Sequence, residues 1–404
     1  MSSIVPTDHC TACNLCASVC PKNCVSLKRK NDGTLVAEKD DAVCINCGLC
    51  EKLCPSLSAP AYNQVREAYA AWSKDEEVFR NSASGGIAAE IYKMALSEGW
   101  GIVGCKLDTD LVARYYLTEN VDEIRAFQNS KYVQSVPGGI YQKVKGVALS
   151  GKKVLFIGLP CHVAAMDNYS RKYGFKEMVL LVDLVCHGTA PSEYLTSHID
   201  TISKQRGVSV DTCFFRDPRW GSHEYIFSLY LSGKLIYKNP TRRDLYTFGF
   251  HHALIYRDCC YNCHYAKRER VGDLTICDYS GLGTRASWEH KERNISCILV
   301  NSDKGNQALK RLGGKLHLYT RPIDEPLDAD MLFNHPCAKK LQVAIFKELY
   351  GKEQDYDKAA EIVFRPLIKA GLRQYYNPVN RIRPLITKLV PTSARELIKR
   401  IFER

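Results

Sequence analysis

No uninterrupted apolar run in this chain approaches the roughly 18 residues that a membrane-spanning helix needs. The most apolar stretch, MVLLVDLVC at 178–186, is broken by Asp183 and reads as a buried strand. The opening MSSIVPTDHC has neither the basic nor the apolar region of a secretory leader. Low-complexity segments are absent, and acidic residues are scarce at one end only. From Arg365 to Arg404 ten Lys and Arg face two Asp and Glu, which leaves +4 of the formal +12 charge for the preceding 364 residues. A sequence-reading nucleic-acid surface would gather its positive charge on the folded body, so nucleic acid is not expected as a partner. The basic end reads as a solvated face, or as a contact for an acidic partner or an anionic membrane surface. What the chain has in excess is cysteine, 19 among 404 residues. Without a leader these imply free thiols in a reducing, cytoplasmic setting and not a disulfide framework. At 45% hydrophobic and 25% charged residues the chain can bury a core without such staples.

Eight cysteines fall in one phrase written twice, CTACNLCASVCP at 10–21 and CINCGLCEKLCP at 44–55, each C-x2-C-x2-C-x3-C-P. Three closely spaced thiolates let one backbone turn wrap three corners of a 4Fe-4S cube. The fourth lies too far round that turn and crosses to the other cube, and the Pro after it redirects the chain. The spacing therefore assigns Cys10, Cys13, Cys16 and Cys54 to a first cluster, and Cys44, Cys47, Cys50 and Cys20 to a second. Tetrahedral zinc also accepts four thiolates, but zinc sites seldom repeat a three-cysteine run closed by Cys-Pro. Between the runs, VSLKRKNDGTLVAE predicts a hairpin around an Asn-Asp-Gly turn. The unit, residues 1–58, resembles a bacterial two-cluster ferredoxin. Cys24 has no slot in the pattern and reads as a small buried hydrophobe. A cube held by four thiolates carries about −2, so two of them bring the main body close to neutral.

PSLSAPAYNQ at 55–64 marks a boundary, which predicts units that can be separated. Beyond it an α/β domain is expected over 62–352, followed by a basic, helical extension over 353–404. The fold class is thus multidomain, α+β then α/β. A Gly-Gly turn opens a helix in NSASGGIAAEIYKMALSEG, and GIVGCK follows as a strand. KKVLFIGLPCHVAAM and MVLLVDLVCHGTAPSEYLTSHI each read as strand, loop, helix, so two strand ends deliver Cys161 and Cys186 into loops where α/β folds place ligands. Cys105, Cys213 and Cys297 sit in apolar strand patterns and read as core. Cys161, Cys186, Cys260 and Cys263 could supply the four thiolates of a third cluster, a zinc site, or scattered free thiols. Spacing does not decide between Cys259 and Cys260.

SASGGI (82–87), SKYVQS (130–135), GLPCH (158–162), LVCHGTAPS (184–192) and CYNCHYA with RVGDLTICD (260–278) stand in the order and spacing of a known family. Residues 65–320 resemble the coenzyme F-420 hydrogenase/dehydrogenase beta-subunit family, whose members are iron-sulfur flavoproteins. The resemblance implies a third 4Fe-4S cluster and favours Cys260 over Cys259. It sets Ser84, Gly85, Gly86, Lys131, Tyr132 and Gln134 against a flavin, FAD. Asp273 and Asp278 bracket a strand, where they could bond the local backbone or contact flavin or substrate. A Gly-Gly turn opening a helix also lets backbone N–H groups approach a phosphate, although it serves equally as a plain helix start. His162 replaces the usual Gln of the family, Cys277 a usual Gly, and Tyr279-Ser280 an aromatic pair. These departures leave the family's deazaflavin substrate unassigned here.

The expected activity is that of an iron-sulfur flavoprotein oxidoreductase, passing single electrons through the clusters to a flavin that delivers pairs to an organic substrate. His187 and His162 are the candidate proton suppliers. Bacterial relatives with this layout look like accessories of cell-surface polysaccharide assembly. The alternative is a non-catalytic electron-transfer subunit feeding a redox partner protein.

Overall fold

The computed structural model describes residues 2–376. The two cysteine runs fold as near copies. Ala12 and Asn14 in the first, and Asn46 and Gly48 in the second, have φ of 51°, 62°, 53° and 69°. Such left-handed residues turn successive N–H groups inward and form the concavity that receives anions. Each run then enters a short helix, Leu15–Val19 or Leu49–Lys52. Val25–Arg29 (β2) and Leu35–Lys39 (β3), between them, pair antiparallel with each other and with Ser2–Ser3 (β1) ahead of the first run, in the order β1-β3-β2. The hairpin turns at Gly33, whose φ of 81° suits glycine.

The main body is built on a nine-stranded mixed sheet. Its strands are Glu67–Ser73 (β4), Gly101–Leu107 (β5), Ala113–Thr118 (β6), Ser135–Val136 (β7), Val154–Gly158 (β8) and Val179–Leu184 (β9), then Leu274–Asp278, Ser296–Val300 and Leu316–Arg321. A separate antiparallel sheet, Thr212–Phe214 (β10), Ile226–Leu231 (β11) and Lys234–Pro240 (β12), precedes those last three, which become β13, β14 and β15. The order is β15-β4-β14-β13-β9-β8-β5-β6-β7, and its centre β13-β9-β8-β5 is parallel. Parallel strands covered on both faces must be apolar throughout. That explains VLFIG in β8 and VLLVDL in β9. Leu155 and Ile157 pack with helix Ile87–Ser97, whereas Val154 and Phe156 pack with helices Ile140–Leu149 and Pro160–Lys172.

Two expectations about boundaries meet a different arrangement. Cys13, Leu15 and Val19 of the ferredoxin-like unit belong to the same core as Tyr141, Val163 and Phe156. Tyr141 Oη donates to Cys13 O at 2.7 Å, and Asn168 Nδ2 to Leu53 O at 3.0 Å. The Pro/Ser/Ala-rich stretch is thus a covalent boundary across a shared core. Of the extension expected over 353–404, residues beyond 376 lie outside the described residues. The described part is helical, and Tyr356, Ala359, Ala360 and Phe364 are fully buried against helices Ser192–Arg206 and Leu341–Glu353, so its first helix, Tyr356–Val363, packs into the body. Among the described residues no helix is long and apolar enough to cross a membrane. Cys297 is fully buried, and Cys105 and Cys213 are partly covered.

Candidate metal centres

Among the described residues no three Cys, His, Asp or Glu side chains close on one point as a single metal ion requires. The cysteines instead line three wider cavities. One is bordered by Cys10, Cys13, Cys16 and Cys54. Another is bordered by Cys20, Cys44, Cys47 and Cys50. The fourth cysteine of each run therefore stands with the partner run's three. Backbone N–H groups already point at several sulfurs: Ala37 N to Cys10 Sγ, Asn46 N to Cys44 Sγ and Cys24 N to Cys20 Sγ, each at 3.4 Å. Burial pushes the Cys13 thiol up to about 12, so that sulfur keeps its proton unless a cation takes its place. Donor set and inward N–H groups both fit a 4Fe-4S cube at each site. Cys24, expected as buried filler, lines the second cavity with its Sγ 3.4 Å from Cys20 Sγ.

The third cavity is bordered by Cys161, Cys186, Cys260 and Cys263, with Cys259 beside them. Cys161 and Cys186 come from the C-terminal ends of the adjacent parallel strands β8 and β9. Cys161 is not in a loop: Leu159 caps the helix and Pro160 starts it at once, because a missing N–H costs nothing at the first helical position. Cys260 and Cys263 arrive on the segment that follows Arg257, which is tied back to β9. Asp183 Oδ2 accepts from Val271 N at 3.1 Å and Gly272 N at 3.0 Å, and its Oδ1 accepts from Thr275 Oγ1 at 2.5 Å and Arg270 Nη2 at 3.3 Å. Between Cys259 and Cys260 the geometry favours the second, whose Sγ lies 4.0 Å from both Arg257 Nη2 and Thr189 Oγ1. Thr11 lines both this cavity and the first, so the two are neighbours.

The residues expected at a flavin divide into two groups. Gly85 and Gly86 answer to packing: a Cβ on Gly85 would come within 2.4 Å of Ala71 O, and Gly86 starts helix Ile87–Ser97 at φ 83°. Ser84 Oγ accepts from Ser296 Oγ at 3.0 Å. Lys131 is turned onto the end of helix Ile124–Phe127, where Nζ donates to Ala126 O, Phe127 O and Gln128 O at 3.1, 3.0 and 2.6 Å. Burial lowers its pKa to about 8. The other group keeps polar or aromatic side chains that packing does not account for. Gln134 Oε1 and Asn129 Oδ1 are buried acceptors with no hydrogen-bond partner, which a flavin N–H would satisfy. Tyr132 stacks on Phe250 at 4.5 Å and meets His251 edge-on. Asp278, at the end of β13, accepts from Arg216 Nη1 at 2.6 Å and Tyr225 Oη at 3.3 Å. His187 borders the third cavity with its side chain exposed; crowding lowers its pKa, with Asp330 and Asp278 pulling the other way. His162 is fully buried with Nδ1 3.2 Å from Tyr115 Oη, and burial first, then Arg257, lower its pKa to about 3. It is neutral and lies off the cavity lining, unlike the proton supplier expected there.

A 4Fe-4S dicluster domain model matches residues 9–57. Models of the N-terminal part and the C terminus of the coenzyme F420 hydrogenase/dehydrogenase beta subunit match 68–139 and 151–326, together more than half of the chain. The chain belongs to this family. A similar solved structure is the xenon-derivatised F420-reducing NiFe hydrogenase complex from Methanosarcina barkeri. The identity is 18%, over 74% of this chain and 91% of that chain, with a TM-score of 0.45. No protein of curated function matches.

In this member of the F420 hydrogenase/dehydrogenase beta-subunit family the sequence reading missed four residues that shape the sites. Arg257 and Thr189 stand at the third cavity. Arg216 and Tyr225 meet Asp278 from the β10–β12 lobe, and Ser222 Oγ fastens that lobe by donating to Ser82 O at 2.6 Å. An arginine three positions before Cys260 was a visible signal for the first. Thr189 stood in the LVCHGTAPS stretch three positions after Cys186, and nothing local marked Arg216 or Tyr225.

Proposed function

We propose that this chain is an iron-sulfur flavoprotein oxidoreductase, with a ferredoxin-like unit over 1–58 feeding a flavin domain over 62–352. Clusters would move electrons singly, and the flavin would gather two and deliver them to an organic substrate with protons. The observation that carries this reading is the cavity where Cys161, Cys186, Cys260 and Cys263 meet at the strand ends and share Thr11 with the first cysteine cavity. Gln134 and Asn129 offer the unpaired acceptors that would orient a flavin, and Tyr132 an aromatic wall. Asp278 holds Arg216 and Tyr225 at the end of β13, where their donors would face a substrate or flavin oxygen. His187, exposed at the third cavity, is the better placed proton carrier of the two histidines.

Electrons would enter at the second site, where Cys47 is exposed and Val43 and Ile45 present apolar surface beside it, a face suited to a protein donor. The same face supports the second reading, a non-catalytic subunit that exchanges electrons with a partner. Metal and flavin analysis of protein purified without oxygen tests the proposal. About twelve irons per chain, three cubes of four, and one flavin are expected. About eight irons, unchanged by Cys260→Ser and Cys263→Ser, would end the third-cluster claim. A flavin that is reduced through the clusters yet reoxidised only by a partner protein would select the subunit reading.

A further inference from the structure

Arg257 is a large cation at 1% exposure, and among the described residues no carboxylate pairs with it. Its guanidinium is spent on the walls of two cavities. Nη1 donates to Thr11 O at 2.7 Å, Nε to Thr189 Oγ1 at 2.9 Å, and Nη2 reaches Cys260 Sγ at 4.0 Å. Thr11 lies between Cys10 and Cys13 of the first site, and Thr189 and Cys260 border the third. A buried unpaired guanidinium is costly. The nearest group that can offset it is a cysteine sulfur, Cys260 Sγ, 4.0 Å from Nη2.

We propose that Arg257 is the counter-ion shared by the first and third cluster sites, and that its fixed charge raises the reduction potential of the third above that of the first. This rests on the reading that Cys161, Cys186, Cys260 and Cys263 hold a 4Fe-4S cluster. The charge cannot be lost, because a guanidinium stays protonated. Its effect is unequal: Nη2 faces a third-site sulfur directly, whereas Nη1 touches the first site only through the Thr11 carbonyl. With clusters held at both sites, an electron passing from the first to the third would make and break no bond. Arg257 would stabilise the negative charge gained at the third, since nearby charge and hydrogen bonds to sulfur set such potentials. That shift would favour transfer from the first site toward the third.

The test is an anaerobic redox titration of the full-length holoprotein, read by electron paramagnetic resonance and accompanied by iron counts. The second site, bordered by Cys44 and Cys47, serves as internal reference. In Arg257→Gln the reduced fraction of the third site at fixed potential is expected to fall about tenfold in ratio, 59 mV for one electron. Arg257→Lys should stay closer to the native value, and the reference should not move. Full iron content with an unchanged third-site potential in Arg257→Gln overturns the proposal, as does an equal fall in both variants. If Arg257→Gln loses the third-site iron, retention in Arg257→Lys supports the counter-ion, and loss in both overturns it. A native protein with about eight irons and no third signal fails at the underlying reading, an outcome distinct from an unmoved potential.

Discussion

Cys259 and Cys260 are neighbours with the same thiol and different contacts. Cys259 is buried, whereas Cys260 Sγ lies 4.0 Å from both Arg257 Nη2 and Thr189 Oγ1. A thiolate is what iron needs. Cys260→Ser is therefore expected to remove about four irons per chain and the third signal, while Cys259→Ser keeps both. Equal loss in the two variants, measured by iron content, would show that the pair acts together and that the geometric distinction is wrong.

Among the elements, three helices far apart in sequence are joined by one ring. His198 in helix Ser192–Arg206 offers Nε2 to Asp244 Oδ2 and Nδ1 to Asp357 Oδ2, both at 3.0 Å. Asp244 also caps helix Leu245–His251 by accepting from Thr247 N at 2.7 Å, and Asp357 lies in helix Tyr356–Val363. Burial alone would lower the His198 pKa, but the two carboxylates outweigh it and raise it to about 10. A group with a raised folded pKa contributes its stability fully below its unfolded value, about 6.5, and loses it as pH rises through the folded one. His198→Gln should cost about 3–5 kcal/mol near neutral pH, because it leaves Asp244 buried without its cation. Thermal unfolding followed against pH should show the native protein losing stability toward pH 10 and the variant lacking that alkaline decline. Asp244, whose pKa is lowered despite burial, contributes on the other side, with a share lost as pH falls below its ordinary value. A variant that unfolds at the native midpoint would show the ring to be dispensable.

For the whole molecule the decisive feature is the seam between the ferredoxin-like unit and the α/β body. Asn14 Nδ2 donates to Gly138 O at 3.1 Å, Gln142 Nε2 to Ser18 O at 3.1 Å, and Arg257 to Thr11 O, while Leu15 and Val19 fill a core shared with Tyr141 and Val163. A chain shortened to begin at Tyr62 would uncover that apolar face and strand the buried Arg257. It is expected to give little soluble protein and to lose the third-site iron along with the other two. Soluble yield and iron content of the shortened chain check this. A stable, flavin-loaded product with about four irons would show instead that the seam is a docking surface between independent units.

How much of this was legible from residues alone follows from how far apart the interacting groups lie. The doubled C-x2-C-x2-C-x3-C-P phrase is local: a few residues of backbone set the positive φ values at Ala12, Asn14, Asn46 and Gly48 and the inward N–H groups. Apolar periodicity is equally local, and it marked β8 and β9 and placed Cys161 and Cys186 at their ends. The meeting of those two with Cys260 and Cys263 depends on strand order, β13 beside β9 beside β8, and on Asp183 gripping Arg270 across 87 positions. Lys131 became a helix cap and not a free cation because its position faces three carbonyls that only the folded turn brings together. Helix Tyr356–Val363 became core for the same kind of reason, since its apolar face finds a partner only once helix Ser192–Arg206 is in place. Spacing along the chain determined the chemistry available to this protein. Long-range pairing of strands and helices decided which thiols, which arginine and which core that chemistry shares.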